Sequence, residues 1–267
     1  MPAPPRQLDS ARFLRRAIRL AKRIERTIPT PKLQNHKIFL GLGFLVRNRR
    51  LAEAILALGT VHAYEAGILM RSMLEIQINY AWIRKGRGLS RARRFMRFEP
   101  IERLQITTDI QDIFEPEKAA AILRRFRSER SDARHLFRRR DRAGRAFWAG
   151  TWATVPALRD RFIEIYNAEG GTDRYPFMYG LYRIQSSAAH GGPLSLSQVI
   201  RTVGGRPRAV RQPESNPTAH MKAATATLIT TSTRVARDAG IVRRLQPEIG
   251  RVVSILRADI ASRDRLG

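Results

Sequence analysis

Two groups of residues carry the chemistry that this sequence can offer. In the run from Tyr182 to His190, residues Tyr182, Ser186 and His190 stand four apart, with Arg183 just after the first. On a helix the three share one face, and Arg183 falls only about 20° from His190 around the axis. One face then presents a phenol, a hydroxyl, a guanidinium and an imidazole. The imidazole can move a proton and the guanidinium can hold charge as it builds on a phosphate, so the set suits attack on a phosphodiester. Gly191-Gly192-Pro193 stops the helix just past His190. The negative end of the helix dipole there favours a protonated imidazole, while the charge of Arg183 opposes it.

The second group is Arg71 and Glu75, one helical turn apart on a stripe with Tyr64, Ile68, Ile78 and Trp82. A buried charge is costly unless paired, so both must meet partners or line a wet cleft. A structural ion pair between core helices is the competing reading. His62 falls on another face with Leu69, Met73 and Tyr80, and reads as a core histidine rather than a ligand. Ser186 and His190 would need a third, orienting acid to act as nucleophile and base, and only Glu75, brought in by packing, could supply it.

Helices must position these residues. Start signals recur at Asp9-Ser10, Glu99-Pro100, Glu115-Pro116, Val155-Pro156, Asn216-Pro217 and Gln246-Pro247, because proline at a first helical position has no amide hydrogen to waste. Between them apolar residues return at helical steps, as in Leu14, Ala17, Ile18, Ala21, Ile24 and Ile28, or Ile249, Val252, Val253, Leu256 and Ile260. The pattern predicts helices near 9–28, 34–48, 51–85, 90–98, 100–113, 116–138, 156–168, 174–190, 217–239 and 247–264. The stretch 51–85, apolar on every face, reads as one central helix. Residues 197–212 carry β-branched residues on either side of Gly204-Gly205 and read as a short β-hairpin. The expected fold is an all-α multi-helix bundle with that hairpin: a basic amphipathic helix over 1–33, then a bundle domain over 34–267.

Charge and composition narrow the partners. The 267 residues hold 50 Lys+Arg against 23 Asp+Glu, a net charge of +27, and no cysteine. That excludes disulfides, thiolate metal sites and a cysteine nucleophile. No P-loop, dinucleotide fingerprint or H-E-x-x-H motif occurs, and His36, His135 and His220 are too scattered for a metal site, so neither metal nor cofactor is expected. No apolar run approaches the roughly 20 residues of a membrane span, and a cytoplasmic location is expected. By region, 51–83 and 146–200 are electrically quiet, whereas 1–50, 84–145 and 201–267 carry the excess. The quiet regions hold the motifs.

The order of motifs, Arg71-x-x-x-Glu75, then a turn with Trp148 and Trp152, then Tyr182-x-x-x-Ser186-x-x-x-His190-Gly191, resembles an uncharacterised bacterial helical family with no assigned activity. The similarity spans roughly 50–240. More distantly, Arg183 followed after six residues by His190 is similar to the Arg-(four to six)-His signature of the HEPN superfamily. Those proteins are helical bundles, often dimeric, and many are metal-independent ribonucleases of defence or toxin systems that use the RNA 2′-hydroxyl as nucleophile. The resemblance implies a phosphate-stabilising role for Arg183 and an acid or base role for His190, and makes a homodimer an expectation; a nuclease reading sets the two in a cleft shared with Arg71, Glu75, Tyr182 and Ser186. In place of the usual polar residue after the Arg, this chain has Ile184.

RNA or another polyanion is the expected partner of the basic segments. Arg124 to Arg145 holds 10 Arg and three acids. It reads either as a mobile arm following a nucleic-acid backbone through Arg124, Arg125, Arg127, Arg138, Arg139 and Arg140, with Phe126 and Phe137 to stack bases, or as a solvated segment whose Arg stems cover apolar surface. The first helix, with Arg12, Arg15, Arg16, Arg19, Lys22, Arg23 and Arg26 around its apolar stripe, fits nucleic acid, peripheral contact with an anionic membrane, or docking on the core with charges outward. Against a nuclease stands a non-catalytic helical binding protein that keeps the Arg, Glu, Ser and His as a structural network.

Overall fold

The computed structural model describes residues 5–85, 88–141, 143–149, 152, 153, 157–168, 182, 183, 200–203, 206–209 and 217–261. The chain divides into two compact units, Met1–Trp82 with Phe162–Gly267, and Ile83–Arg161.

In the first unit, α1 (Pro5–Thr27) turns its predicted stripe inward: Leu14, Ala17, Ala21 and Ile24 are fully buried. They share a core with Leu45, Ala52 and Ile55 of α2 (His36–Leu58), Met70 and Met73 of α3 (Ala63–Arg84), and residues of the two C-terminal helices described next. Those are α9 (Pro217–Asp238) and α10 (Val242–Ala261); α8 (Leu158–Ala168) precedes them in the chain. Most basic residues of α1 are exposed, and two of them engage carboxylates on neighbouring helices. Lys22 meets Glu53 at 2.9 Å, Arg23 meets Glu248 at 2.9 Å, and Glu25 accepts from Arg49 at 2.7 Å. Burial works against the charge of Glu53, but Lys22 and Arg49 outweigh it and hold the carboxyl below its ordinary range.

The chain departs from the expected boundary between 48 and 51. The run Arg47-Asn48-Arg49-Arg50 lies inside α2, because each central residue has a partner there. Asn48 is fully buried and donates to Thr231 of α9 at 3.1 Å, and Thr231 in turn donates to the Thr227 carbonyl at 2.9 Å. Arg49 joins the ion network through Glu25 and Glu53. The break falls instead at Gly59, whose φ of 59° is open to glycine at little cost. His62 therefore sits in a turn, 59% exposed and 3.9 Å from Glu65, and is not the core histidine that a continuous helix predicts.

Three helix ends converge on Asp238. Its carboxylate accepts from the buried Tyr80 hydroxyl at 2.8 Å and faces the Lys37 ammonium at 2.9 Å. Gly41 lets Tyr80 in: a Cβ there would lie 2.5 Å from the tyrosine oxygen. Beyond Asp238 the helix closes with Gly240 at φ 66°, where Ile241 N–H reaches the Ala236 carbonyl at 2.9 Å and Gly240 N–H reaches that of Arg237 at 3.0 Å. The Lys32 ammonium donates to the Ala239 carbonyl, a cation at the negative helix end. Helix α10 begins at Val242 and runs through Pro247, five residues before the proline-based start. Ile241, Leu245 and Ile249 supply the buried stripe that carries it across the exposed proline.

The second unit contains α4 (Gly88–Arg97), α5 (Glu99–Asp109), α6 (Pro116–Asp132) and the short α7 (Arg134–Phe137). Phe98, Ile101, Ala133, Phe137 and Ala149 form its core, with Leu136, Trp148 and Trp152 packed against them. Sheet content is small, as expected of an all-α chain. The predicted hairpin is present as β3 (Ile200–Val203) paired antiparallel with β4 (Arg206–Ala209), its Gly204-Gly205 turn lying outside the described residues. A second ribbon was not expected: β1 (Arg138–Arg140) pairs with β2 (Ala146–Trp148). The helix predicted over 116–138 ends at Asp132, because Phe137 is pulled fully into the core and the following arginines extend. Asp141 then closes the turn by accepting from the backbones of Ala143 and Arg145, each at 2.9 Å, ahead of Gly144 at φ 78°.

His220, on α9, is buried, and burial pushes its imidazole pKa below the ordinary 6.5. The unfolded chain then binds the proton first as pH falls. The contribution of His220 to stability is therefore constant well above 6.5 and declines below it, by at most about 1.4 kcal/mol per pH unit, until the folded imidazole also titrates. Denaturant titrations across that range should show this slope in the wild type and a shallower one in His220→Gln. Equal slopes in the two proteins would assign the acid sensitivity elsewhere.

Candidate functional site

Helix α3 presents Arg71 and Glu75 on one face, and the first unit brings Tyr182 against them. The Arg71 guanidinium donates from Nη2 to the Tyr182 hydroxyl at 3.3 Å and lies over the tyrosine ring, 5.2 Å from its centre. The same nitrogen stands 3.8 Å from Glu75, a loose pair. Phe162 of α8 packs against Tyr182 from another side, with ring centres 6.0 Å apart. Arg71 is mostly covered and its side chain is 18% exposed, whereas Glu75 is 40% exposed. Neither is stranded in an apolar core. The Arg71 Nε is buried and has no hydrogen-bond partner, which leaves a donor ready for an acceptor.

Residues 182 and 183 have helical backbone, and Arg183 is exposed beside the half-buried Tyr182. A fixed Tyr182 thus holds its neighbour's guanidinium at the surface. Ser186 and His190, with the rest of the predicted 174–190 helix, lie outside the described residues. Four of the six predicted site residues, Arg71, Glu75, Tyr182 and Arg183, therefore fall together in one unit, from segments more than a hundred residues apart in the chain.

Residues 38–206 match a family of unknown function, DUF5677. The chain belongs to the DUF5677 family. The DUF5677 stretch holds Arg71, Glu75, the arginine-rich segment, Tyr182, Arg183, Ser186 and His190, while α1, α9 and α10 lie outside it. No curated protein and no solved structure matches the chain. No helix among the described residues is long and apolar enough to cross a membrane.

The arginine-rich segment of the DUF5677 stretch is folded. Arg124, Arg125 and Arg127 are exposed on α6, and Arg138, Arg139 and Arg140 are exposed on β1. Arg125 is engaged by Glu129 at 2.8 Å. Of the two aromatic residues expected to stack bases, Phe137 is fully buried and belongs to the core, and Phe126 is half-buried under Arg103. Phe147 on β2, 45% exposed, occupies the surface position that sequence reading gave to Phe137.

Sequence reading also passed over Arg94 and Arg130. Arg94 donates to the carbonyls of Trp152 and Leu136 and lies over the Phe137 ring, 4.4 Å from its centre. Burial lowers its pKa from the arginine value, and the charge of Arg139 adds to the effect. Arg130 lies over Trp148 at 4.5 Å and is lowered by burial, then by Arg127 and Arg138. Nothing in a helical pattern singles out one arginine among many. The signal lay in the tryptophan at 148, which needs a flat cationic partner only once the ribbon exposes its face.

Proposed function

We propose that this is a nucleic-acid-associated protein that binds RNA through the cationic segment 124–145 and cuts it without a metal, using Arg183 and His190. The observation that carries the reading is the exposed row Arg138-Arg139-Arg140 on a folded ribbon, next to the exposed ring of Phe147. A charged ribbon with an aromatic surface follows a phosphate backbone and offers a face to a base. In the cleavage step the RNA 2′-oxygen bonds to phosphorus, the bond to the 5′-oxygen breaks, and a cyclic phosphate results. His190 either takes the 2′-hydroxyl proton while water protonates the leaving 5′-oxygen, or gives its own proton to that oxygen while water takes the 2′-hydroxyl proton. Arg183 stabilises the charge on the phosphoryl oxygens. A homodimer and a place in a bacterial defence or toxin system are part of the same proposal, resting on the HEPN resemblance.

The test uses the purified full chain, labelled RNAs and an excess of chelator. RNA should be bound with an affinity that falls steeply as salt rises, and cut to products with cyclic phosphate ends. His190→Ala should bind RNA as the wild type does and lose cleavage by at least about a hundredfold. Intact RNA after prolonged incubation, or equal cutting by the variant, overturns the nuclease part. Loss of binding at every salt overturns the whole.

The bond from Arg71 to Tyr182 favours a second reading, a non-catalytic binding protein in which this network is structural. That reading expects Arg71→Ala to lower the melting temperature by several degrees, about 1–2 kcal/mol for one hydrogen bond and one stacked guanidinium. An unchanged melting temperature counts against it.

A further inference from the structure

The ribbon of the second unit gathers positive charge in a way that its fold does not require. In the β1–β2 register Arg138 stands opposite Trp148, and Arg139 opposite Phe147. Side chains alternate between faces along a strand, so Arg138 and Trp148 share one face while Arg139 and Phe147 share the other. Onto the first face α6 lays Arg130, whose guanidinium sits 4.5 Å from the centre of the Trp148 ring, while that of Arg138 sits 5.5 Å from the same centre. Two like charges thus lean on one indole. The groups that act on Arg130 are Arg127 and Arg138, both cationic. The carboxylates of Glu129 and Asp141, on either side in sequence, are engaged by Arg125 and Arg145 at 2.8 Å each.

Hydrogen bonding carries the same message. The Nε of Arg130 is buried and donates to nothing, and the same is true of Nη2 of Arg94, which lies over the Phe137 ring. Buried donors are almost always satisfied, and an open one on a charged group marks a place where an acceptor belongs. A guanidinium stacked on an aromatic ring keeps its in-plane N–H groups free, which is the edge that phosphate oxygens engage. One anion between Arg130 and Arg138 would relieve their repulsion.

We propose that Arg130 and Arg138, held against Trp148, form a phosphate-binding site for an RNA strand. The proposal rests on the RNA-binding reading above and sharpens it to a strand with at least one free base. The phosphate takes the Arg130–Arg138 face, and the exposed Phe147 on the opposite face stacks a neighbouring base. Trp148 is a positioning residue that fixes the two guanidiniums.

The test measures binding of a labelled single-stranded oligouridylate to full-length protein across a salt series, and separately the emission change of Trp148 on adding tripolyphosphate. Trp148→Phe identifies the emission and preserves an aromatic platform. Arg130→Ala and Arg138→Ala should each weaken RNA binding about tenfold. Each should also reduce the salt dependence by about 0.7 in logarithmic slope, one phosphate contact. Lys118→Ala removes an exposed charge from the start of the same helix and should stay within about twofold. Arg138 is exposed, so its variant separates site loss from unfolding. Wild-type binding that survives both arginine changes, or falls equally in Lys118→Ala, overturns the site and leaves the RNA reading standing. Absence of RNA binding, with a tripolyphosphate response that Arg138→Ala abolishes, supports the phosphate site and overturns the RNA reading. Silence in both assays overturns both.

Discussion

Replacing Trp82 with alanine lowers the unfolding free energy by about 3–5 kcal/mol, the range for emptying a buried indole. Trp82 is among the largest side chains with no exposed surface, and its Nε1 donates to Glu164 of α8 at 3.0 Å. Two losses therefore coincide. A cavity opens near the end of α3, and the carboxylate at 164 gives up an indole donor that came from a distant part of the chain. In a chain of this length the melting temperature should fall by roughly 10 °C. Trp82→Phe refills most of the volume without the N–H, so it should recover more than half of the loss. A thermal scan of the three proteins decides between packing and hydrogen bond as the larger share. A fall of only a degree or two in Trp82→Ala would mean that the region collapses onto the gap or contributes little to global stability.

Asp238→Ala has the second-largest expected effect, roughly 3 kcal/mol, through charge and hydrogen bonding rather than volume. The Asp238 side chain is 6% exposed and serves the Tyr80 hydroxyl and the Lys37 ammonium together. Its removal takes the acceptor from a fully buried tyrosine and leaves Lys37, 27% exposed, without its carboxylate. Asp238→Asn keeps an acceptor for Tyr80 and loses only the charge, so its cost should be about half. Tyr80→Phe in the Asp238→Ala background should cost little more than Asp238→Ala alone, because the two groups act as a pair. Additive losses in that cycle would show that Asp238 and Tyr80 stabilise the protein separately.

The helices were legible wherever a stripe faced one core. The residues of α1 predicted to be buried, Leu14, Ala17, Ile18, Ala21 and Ile24, are buried, as is Ile28 just past its end, because a single amphipathic face against a bundle leaves little choice of orientation. Legibility failed where charge and burial competed. Arg47-Asn48-Arg49-Arg50 looks like a boundary in sequence, yet Glu25, Glu53 and Thr231 supply partners that keep the helix running. It failed again at Phe137, where local pattern extends a helix and the pull of the second core ends it.

The candidate site was legible in composition and in part of its grouping. The spacing Arg71-x-x-x-Glu75 named two residues one turn apart, and the structure does pair them, at 3.8 Å. That Tyr182 would be the partner of Arg71 was not readable, since the contact joins residues separated by 111 positions. Ser186 and His190 stay with the sequence argument, outside the described residues.

The sequence by itself determined the helical class, the β3–β4 hairpin, the apolar stripe of α1 and the types of side chain that chemistry could use. Each of these follows from periodicity, turn residues or net charge, which act over a few neighbours. Only the tertiary structure decided that the arginine-rich segment passes from helix into a β-ribbon at Arg138, that Phe147 rather than Phe137 is the exposed ring, and that Arg130 and Arg138 share one indole. Those outcomes turn on which of many arginines meets an aromatic face or a carboxylate. That is a matter of contacts between distant segments, whose energies exceed any local preference among equivalent residues.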